Sequence, residues 1–243
     1  MKYDYSLYLV TDRANICKDA ENADGRSSKD TAENIAAKNV TGKSNEEKAV
    51  SFRALCTAVE QAILGGCTMV QLREKEISSK DFYNLAKEVK QVTDKHHIPL
   101  IINDRMDIAL AVKAAGVHIG QRDIPVAAAK KVIGKNMLLG VSASSLREAV
   151  RALKDGADYL GVGAMYPTQT KRDAEHVTKE ELQAVRKAIP IPIVAIGGID
   201  KEKAAELMKL GIDGVAVVSA ILAQPDIRKA AGELRKAVRE KSI

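Results

Sequence analysis

Tryptophan is absent from this chain of 243 residues, and aromatic side chains make up only 3% of it. Proteins that bind nucleic acids typically combine clustered basic residues with aromatic side chains that stack on bases. The formal charge here is +6, but lysine and arginine are scattered along predicted helices beside acidic residues. The charge fits anionic small molecules and mainly indicates a solvated surface, so we expect no nucleic-acid partner.

Cysteine is also scarce, and Cys17, Cys56 and Cys67 are irregularly spaced. Their number and spacing give neither a disulfide framework nor a zinc motif, which favours a reducing compartment. The chain also shows no signal-peptide core and no apolar run near the ~18 residues of a membrane span. We therefore expect a cytoplasmic protein without a membrane partner; a homo-oligomer is compatible with the sequence.

Small aliphatic residues form short runs that alternate with helix-period segments, as buried parallel strands do in α/β proteins. Strands are predicted at residues 6–12, 68–72, 99–103, 117–120, 138–142, 159–162, 193–196 and 214–218. Eight strand–helix units close a (β/α)₈ TIM barrel, and we predict one such domain over residues 1–243. A doubly wound open sheet is the alternative, but no Gly-x-Gly-x-x-Gly motif follows the first strand.

The segment from Arg13 to about Lys48 differs from the rest of the chain. It is polar, of mixed charge and poor in large apolar residues, so it can bury little surface. We interpret it as a polar loop with a partly helical piece near Asp30–Asn39. A tolerated insertion is favoured over a lid that covers a site, because its composition offers little that could pack.

The stretch Thr68–Lys75 begins as a strand and ends in charge. Because side chains alternate along a strand, Gln71, Arg73 and Lys75 are expected on one face, opposite Val70 and Leu72. An amide, a guanidinium and an ammonium group in one row suit an anionic ligand that carries a hydrogen-bonding ring. The alternative is a strand end that frays into a charged loop.

Polar residues follow the other predicted strands in the same way. In a barrel of this type the reactive groups lie at the carboxyl ends of the strands, so these residues are expected at one mouth. They are Asn103 and Asp104, Asp123, Ser142, the loop Thr168–Lys171, Gly197 and Gly198, and Ser219.

Asp104 and Asp123 are expected on adjacent strand ends. Two carboxylates about 4 Å apart repel by roughly 4 kcal/mol at an effective dielectric near 20. A hard divalent cation removes this repulsion, and Mg²⁺ would complete its octahedron with waters and ligand phosphates. The alternative is that each aspartate caps the helix after it. The metal is favoured because basic residues face the same mouth.

The glycine pair Gly197-Gly198 and the dipeptide Val218-Ser219 occupy the places where barrels bind phosphate through backbone N–H groups. A tight turn alone is the alternative for the glycines. His118 is expected to pack or to form a local hydrogen bond. No Ser-His-Asp arrangement or activated cysteine is apparent, so the residues favour catalysis by charge stabilisation and orientation.

Together these residues resemble the thiamine-phosphate synthase family. The motifs that carry the resemblance are YLVTD (8–12), VQLREK (70–75), INDR (102–105), VHIGQ (117–121), GVG (161–163), PTQTK (167–171), AIGGI (195–199) and residues 215–221. They cover nearly the whole chain outside residues 13–48.

The resemblance implies a Mg²⁺-dependent transfer of a pyrimidinylmethyl group. The donor would be 4-amino-2-methyl-5-(diphosphooxymethyl)pyrimidine, and the acceptor 4-methyl-5-(2-phosphoethyl)thiazole or its carboxylated form. The C–O bond would break first, giving a carbocation that the thiazole nitrogen attacks, and the products would be thiamine phosphate and pyrophosphate.

The resemblance also implies roles for individual residues. Gln71 would contact the pyrimidine; Arg73, Lys75, Asn103 and Lys171 would hold the diphosphate; Asp104 and Asp123 would bind Mg²⁺; Ser142 would touch the pyrimidine or the diphosphate; Thr168 and Thr170 would face the thiazole; and Gly198, Val218 and Ser219 would hold its phosphate. The implied catalytic residues are Arg73, Lys75, Ser142 and Lys171.

Two features depart from the family pattern: Ala115 stands where the family usually has aspartate, and the polar segment is longer than its usual first loop. A thiazole tautomerase-like barrel is one alternative, which the presence of Asp104 and Asp123 together with the Thr168-x-Thr170-Lys171 loop disfavours. A non-catalytic sensor that binds thiamine phosphate is the other. It would bind ligand without releasing pyrophosphate.

Overall fold

The computed structural model describes residues 3–16, 45–168 and 175–239. Within them, eight parallel strands pair in chain order and close into a barrel, which confirms the predicted (β/α)₈ fold. The strands are β1 (Leu7–Val10), β2 (Met69–Leu72), β3 (Leu100–Asn103), β4 (Gly116–Ile119), β5 (Leu138–Ala143), β6 (Tyr159–Val162), β7 (Ile193–Ile196) and β8 (Gly214–Val217).

Helices cover the outside of this barrel. They are α1 (Asn45–Leu64), α2 (Ser79–Lys95), α3 (Met106–Ala111), α4 (Val126–Ile133), α5 (Leu146–Asp155), α6 (Lys179–Ala188), α7 (Lys201–Met208), α8 (Ser219–Leu222) and α9 (Ile227–Arg239). Several begin at a side-chain cap: Ser78, Ser145, Thr178 and Asp200 each accept a hydrogen bond from the backbone N–H three residues later. In the described part of the chain, no helix is both long and apolar enough to cross a membrane.

The strands separate two apolar cores. Outward-facing residues such as Leu9, Val70 and Leu72 pack beneath the helices in the larger cluster. Inward-facing residues, among them Tyr8, Met69 and Tyr159, fill the barrel interior. This alternation places the side chains at every second position of a strand inside the barrel.

The polar segment predicted at residues 13–48 is structured at both of its ends. Arg13–Asn15 form a short 3-10 turn, capped by the Asp12 carboxylate, which accepts from the N–H of Ala14 at 3.0 Å. Helix α1 begins at Asn45, so its first four residues lie within the segment predicted as a polar loop to about Lys48. The helical piece predicted near Asp30–Asn39 lies outside the described residues.

Candidate active site

The end of β2 carries the first group of predicted site residues. Gln71 points into the barrel interior and is only 5% exposed, as the strand alternation predicts. The Arg73 N–H donates to the Thr11 hydroxyl at 3.1 Å, and its guanidinium lies 4.0 Å from the Asp12 carboxylate. Lys75 is exposed. Because the backbone at Arg73 is tied to β1, this strand end does not fray.

A buried ion pair that the sequence reading missed supports the residue after Arg73. The Arg13 guanidinium donates two hydrogen bonds to the Glu74 carboxylate, both at 2.7 Å, and it stacks 5.4 Å above the ring of Phe52. The two charged side chains are only 11% and 7% exposed. The pair fastens the turn after β1 to the loop after β2. Polarity alone could not reveal it, since Arg13 lies in a segment of many charged residues.

Asp104 and Asp123 meet at the ends of β3 and β4. Their carboxyl groups lie close enough to interact with each other. The surrounding protein shields the Asp104 carboxyl group from water, and this desolvation is the main reason why its pKa is raised to about 6. The nearby Asp123 carboxyl group also raises this pKa, whereas Arg73 and Lys75 lower it. The backbone of Asp104 has a φ of 61°, in the left-handed region that residues other than glycine rarely adopt.

Neither aspartate caps a helix, so the capping alternative is wrong. Helix α3 starts after Arg105 and helix α4 after Pro125, and no side chain at either position caps the helix. The Asp123 carboxylate instead accepts a hydrogen bond from the N–H of Gly120 at 2.6 Å.

The donor set at Asp104 and Asp123 suits a hard cation. Within the described ranges, no cluster of three or more histidine, cysteine, aspartate or glutamate side chains with metal-binding geometry occurs. Two carboxylates could hold Mg²⁺ only with water or ligand phosphate in its other positions, which matches the preference of that ion. A cavity of about 360 Å³, lined in part by Lys75 and Asp104, adjoins them.

A hydrogen-bonded row crosses the barrel interior below the mouth. Gln71 Nε2 donates to the Tyr8 hydroxyl at 3.0 Å, and the Tyr8 and Tyr159 hydroxyls lie 2.9 Å apart. His118 Nδ1 is 3.1 Å from the Tyr159 hydroxyl, and His118 Nε2 is 3.0 Å from Ser142 Oγ. We call these five residues the interior relay.

The sequence reading placed only the two ends of the interior relay in the site. His118 was predicted to pack or to form a local hydrogen bond. It instead bonds to residues on two other strands, Tyr159 and the predicted site residue Ser142. Tyr8 and Tyr159 were missed. Both occupy inward-facing positions of predicted strands, as Gln71 and Ser142 do, and these positions could have identified them.

The predicted phosphate-binding side lies at the ends of β6, β7 and β8. The N–H of Tyr166 donates to the Gly197 carbonyl at 3.1 Å, which joins the loop after β6 to the end of β7. Gly198 has a φ of 62°, and a Cβ there would lie 2.6 Å from the Pro167 carbonyl oxygen. Glycine at Gly198 is therefore required by both conformation and space.

The remaining predicted residues are distributed as follows. Asn103 ends β3 and is half-buried, Thr168 is half-buried in the loop after β6, and Val218 and exposed Ser219 stand at the start of α8. Thr170 and Lys171 lie outside the described residues. The structure thus brings the described candidates to one mouth of the barrel.

Comparisons with known proteins agree on one family. The family profile described as "Thiamine monophosphate synthase" matches residues 40–221. The chain is 52% identical over 234 residues to the thiamine-phosphate synthase of Clostridium beijerinckii, covering 96% of each chain. It is 55% identical over 182 residues to the enzyme of the same name from Clostridium tetani, covering 75% of this chain and 87% of the relative. Among solved structures, thiamine phosphate pyrophosphorylase from Pyrococcus furiosus is similar at 36% identity with a TM-score of 0.77, covering 98% of this chain and 97% of that one.

Proposed function

Because this chain belongs to the thiamine monophosphate synthase family, we propose that it joins 4-amino-2-methyl-5-(diphosphooxymethyl)pyrimidine to 4-methyl-5-(2-phosphoethyl)thiazole or its 2-carboxy form. The products are thiamine phosphate and pyrophosphate, together with carbon dioxide when the 2-carboxy form is the acceptor. The chain is an enzyme of the transferase class, and its resemblance to this family, inferred from the motifs, is confirmed.

The observation that carries the proposed reaction is the contact between the Asp104 and Asp123 carboxyl groups with Arg73 and Lys75 close by. Opposite charges at one mouth suit a diphosphate together with a divalent cation. Mg²⁺, when bound there, would supply positive charge to the diphosphate. Arg73, Lys75, Asn103 and Lys171 would hold its oxygens.

In the proposed reaction the C–O bond to the diphosphate breaks first, and its electron pair leaves on pyrophosphate. The thiazole nitrogen then donates its lone pair to the methylene carbon, which forms the C–N bond. Negative charge therefore develops on the leaving group, where Arg73 and Lys75 would stabilise it. Loss of one such group typically lowers kcat by about 10²–10³-fold.

The two rings would be held by different parts of the mouth. Gln71 and Ser142, at the ends of the interior relay, would contact the pyrimidine. Thr168 and Thr170 would face the thiazole, and Gly198, Val218 and Ser219 would bind its phosphate through backbone N–H groups. Holding both rings in line would supply orientation, which adds to the charge stabilisation of the leaving group.

The test is pyrophosphate release by the purified protein with both substrates, with and without Mg²⁺, for the wild type, Asp104→Ala and Asp155→Ala. Asp155 is the matched control, because it ends α5 and pairs only loosely with Arg151, at 3.6 Å. We expect release that requires both substrates and Mg²⁺, falls at least ~100-fold in Asp104→Ala and is unchanged in Asp155→Ala. A folded wild type that binds thiamine phosphate without releasing pyrophosphate would reject the synthase and favour the sensor.

A further inference from the structure

We propose that Tyr8, Tyr159 and His118 are positioning residues that couple the hydrogen-bonding character of Gln71 to that of Ser142. Whether Gln71 donates or accepts at its end of the interior relay then decides whether Ser142 accepts or donates at the other end. This in turn decides which donors and acceptors the two residues have left for a substrate. The kinetic part of this inference rests on the proposed function.

The interior relay is buried except at its Ser142 end, which is half-buried. Tyr159 is 0% exposed, Tyr8 1%, Gln71 5% and His118 8%. Its members come from strands β1, β2, β4, β5 and β6, so it spans the barrel rather than following one strand pair. Burial raises the pKa of Tyr8 and Tyr159 well above the usual range. Each hydroxyl therefore keeps its single hydrogen.

Counting hydrogens gives the relay a direction. The Tyr8 oxygen accepts from Gln71 Nε2, so its own hydrogen is available to Tyr159. The Tyr159 hydrogen then goes to His118 Nδ1, which leaves the histidine proton on Nε2, where it is donated to Ser142 Oγ. One neutral histidine tautomer satisfies every link.

This direction fixes both ends of the relay. Gln71 keeps its carbonyl oxygen and one N–H for a ligand, and Ser142 keeps its hydroxyl hydrogen. The reverse direction is also self-consistent: Ser142 would donate to His118, and Gln71 would accept from Tyr8 through its carbonyl and present its NH₂ group. With a neutral imidazole, the two arrangements cannot be mixed without leaving a buried group unpaired, which costs about 1–3 kcal/mol. The two ends therefore change together.

The strands on either side make room for the relay. A Cβ on Gly140 would lie 2.3 Å from the Tyr159 hydroxyl and 2.4 Å from His118 Nδ1, and one on Gly161 would lie 3.0 Å from His118 Cε1. Gly140 is the strand partner of both His118 and Tyr159. Any larger residue at Gly140 would occupy the place of the Tyr159–His118 hydrogen bond.

The first test is independent of activity. Nitrogen-15 NMR of the imidazole ring reports which nitrogen of His118 carries the proton, and His118→Asn assigns the signals. We expect the Nε2–H tautomer in the ligand-free wild type and in Tyr5→Phe, and a loss of this preference in Tyr159→Phe. Tyr5 is the matched control, since its ring lies 5.2 Å from that of Tyr159 but its hydroxyl is outside the relay. An unchanged spectrum in Tyr159→Phe would overturn the proposal.

The second test is a double-mutant cycle on kcat/KM for the pyrimidine substrate, with Tyr8→Phe and Ser142→Ala. Tyr8→Phe alone is expected to lower kcat/KM about tenfold while the KM for the thiazole phosphate changes less than about twofold. In the Ser142→Ala background its effect should shrink at least about threefold, because the two residues act through one network. If Tyr8→Phe lowers kcat/KM by the same factor in the wild type and in Ser142→Ala, the coupling is overturned. Thermal melts establish that each variant is folded. If the wild type releases no pyrophosphate, the proposed function fails, and the NMR test still decides the relay.

Discussion

At the scale of single residues, Asp104 combines two features that do not stabilise a ligand-free protein. Its backbone adopts a left-handed conformation, and its carboxyl group lies against that of Asp123. Strained backbone and paired like charges persist where a site requires them, and both are typical of functional positions. These features predict that replacing Asp104 raises the stability of the ligand-free protein while it lowers activity.

Asp104→Asn is expected to remove activity but to raise the melting temperature of the ligand-free protein by about 1–2 °C. Asparagine removes the repulsion from Asp123 and tolerates positive φ better than most residues. Differential scanning fluorimetry and the pyrophosphate assay measure the two effects. Mg²⁺ with pyrophosphate should stabilise the wild type and leave the variant unchanged. A variant that melts clearly below the wild type would contradict this account of Asp104.

The Arg13–Glu74 pair supports a second prediction. Arg13→Met leaves a nearly buried Glu74 carboxylate without its partner, so the free energy of unfolding should fall by about 2–3 kcal/mol. The double variant Arg13→Met with Glu74→Leu removes both charges and should recover most of that loss, to within about 1 kcal/mol of the wild type. Urea unfolding measures both. A double variant as unstable as the single one would show that the pair contributes through packing rather than charge.

These residues also show how far the sequence can predict a site. The alternation along β2 was enough to put Gln71 inside the barrel, and adjacent strand ends were enough to bring Asp104 to Asp123. Tyr8 and Tyr159 belong to strands that do not pair with each other, so their contact depends on closure of the whole barrel. Local pattern carries no information about such a contact.

At the scale of elements, a repeated side-chain hydrogen bond ties three of the four even-numbered strands, β2, β6 and β8, to the strand before each of them. The Thr68 hydroxyl accepts from the N–H of Leu7, the Asp158 carboxylate from that of Leu139 at 2.7 Å, and the Asp213 carboxylate from that of Ile193 at 2.8 Å. In each case the same residue returns a backbone hydrogen bond to the same partner. Ala115 occupies the equivalent place before β4, and its N–H donates to the Leu100 carbonyl at 2.8 Å.

Ala115→Asp is therefore expected to stabilise the protein. A carboxylate at this position can accept from the N–H of Leu100, which should raise the free energy of unfolding by about 0.5–1.5 kcal/mol. Thr68→Val is the converse variant, and it should lower stability by about 1–3 kcal/mol because the N–H of Leu7 loses its acceptor. Urea midpoints measure both changes. A destabilised Ala115→Asp protein would mean that the position before β4 differs from its three counterparts.

Element boundaries were less predictable than element types. The start of α1 was placed too late because Asn45, Glu46, Glu47 and Lys48 add no apolar periodicity to the helix. Tertiary contacts hold this turn instead: the Lys48 ammonium group donates to the Asp81 carboxylate on α2 at 3.0 Å. The acidic residues in the first turn also favour the positive end of the helix dipole.

At the scale of the whole molecule, the barrel places two chemically different regions at one mouth. The ends of β2, β3 and β4 contribute acidic and basic side chains, whereas the ends of β7 and β8 contribute glycines and a helix start. Because separate strand ends build the two regions, damage to one should leave binding at the other intact. The interpretation of the polar segment between β1 and α1 as an insertion stays a prediction.

Gly198→Ala tests this separation. The added Cβ would meet the Pro167 carbonyl oxygen at 2.6 Å, and the φ of 62° disfavours any L side chain, so the loop ends after β6 and β7 must shift. We expect the KM for the thiazole phosphate to rise at least about tenfold, while the KM for the pyrimidine diphosphate stays within about twofold.

Gly211→Ala is the matched control, because Gly211 has a φ of 77° but nothing within 4 Å of an added Cβ. It should lower stability slightly, as backbone strain does, and change neither KM. If Gly198→Ala raises both KM values equally, the mouth acts as one unit, and the division into two binding regions is wrong.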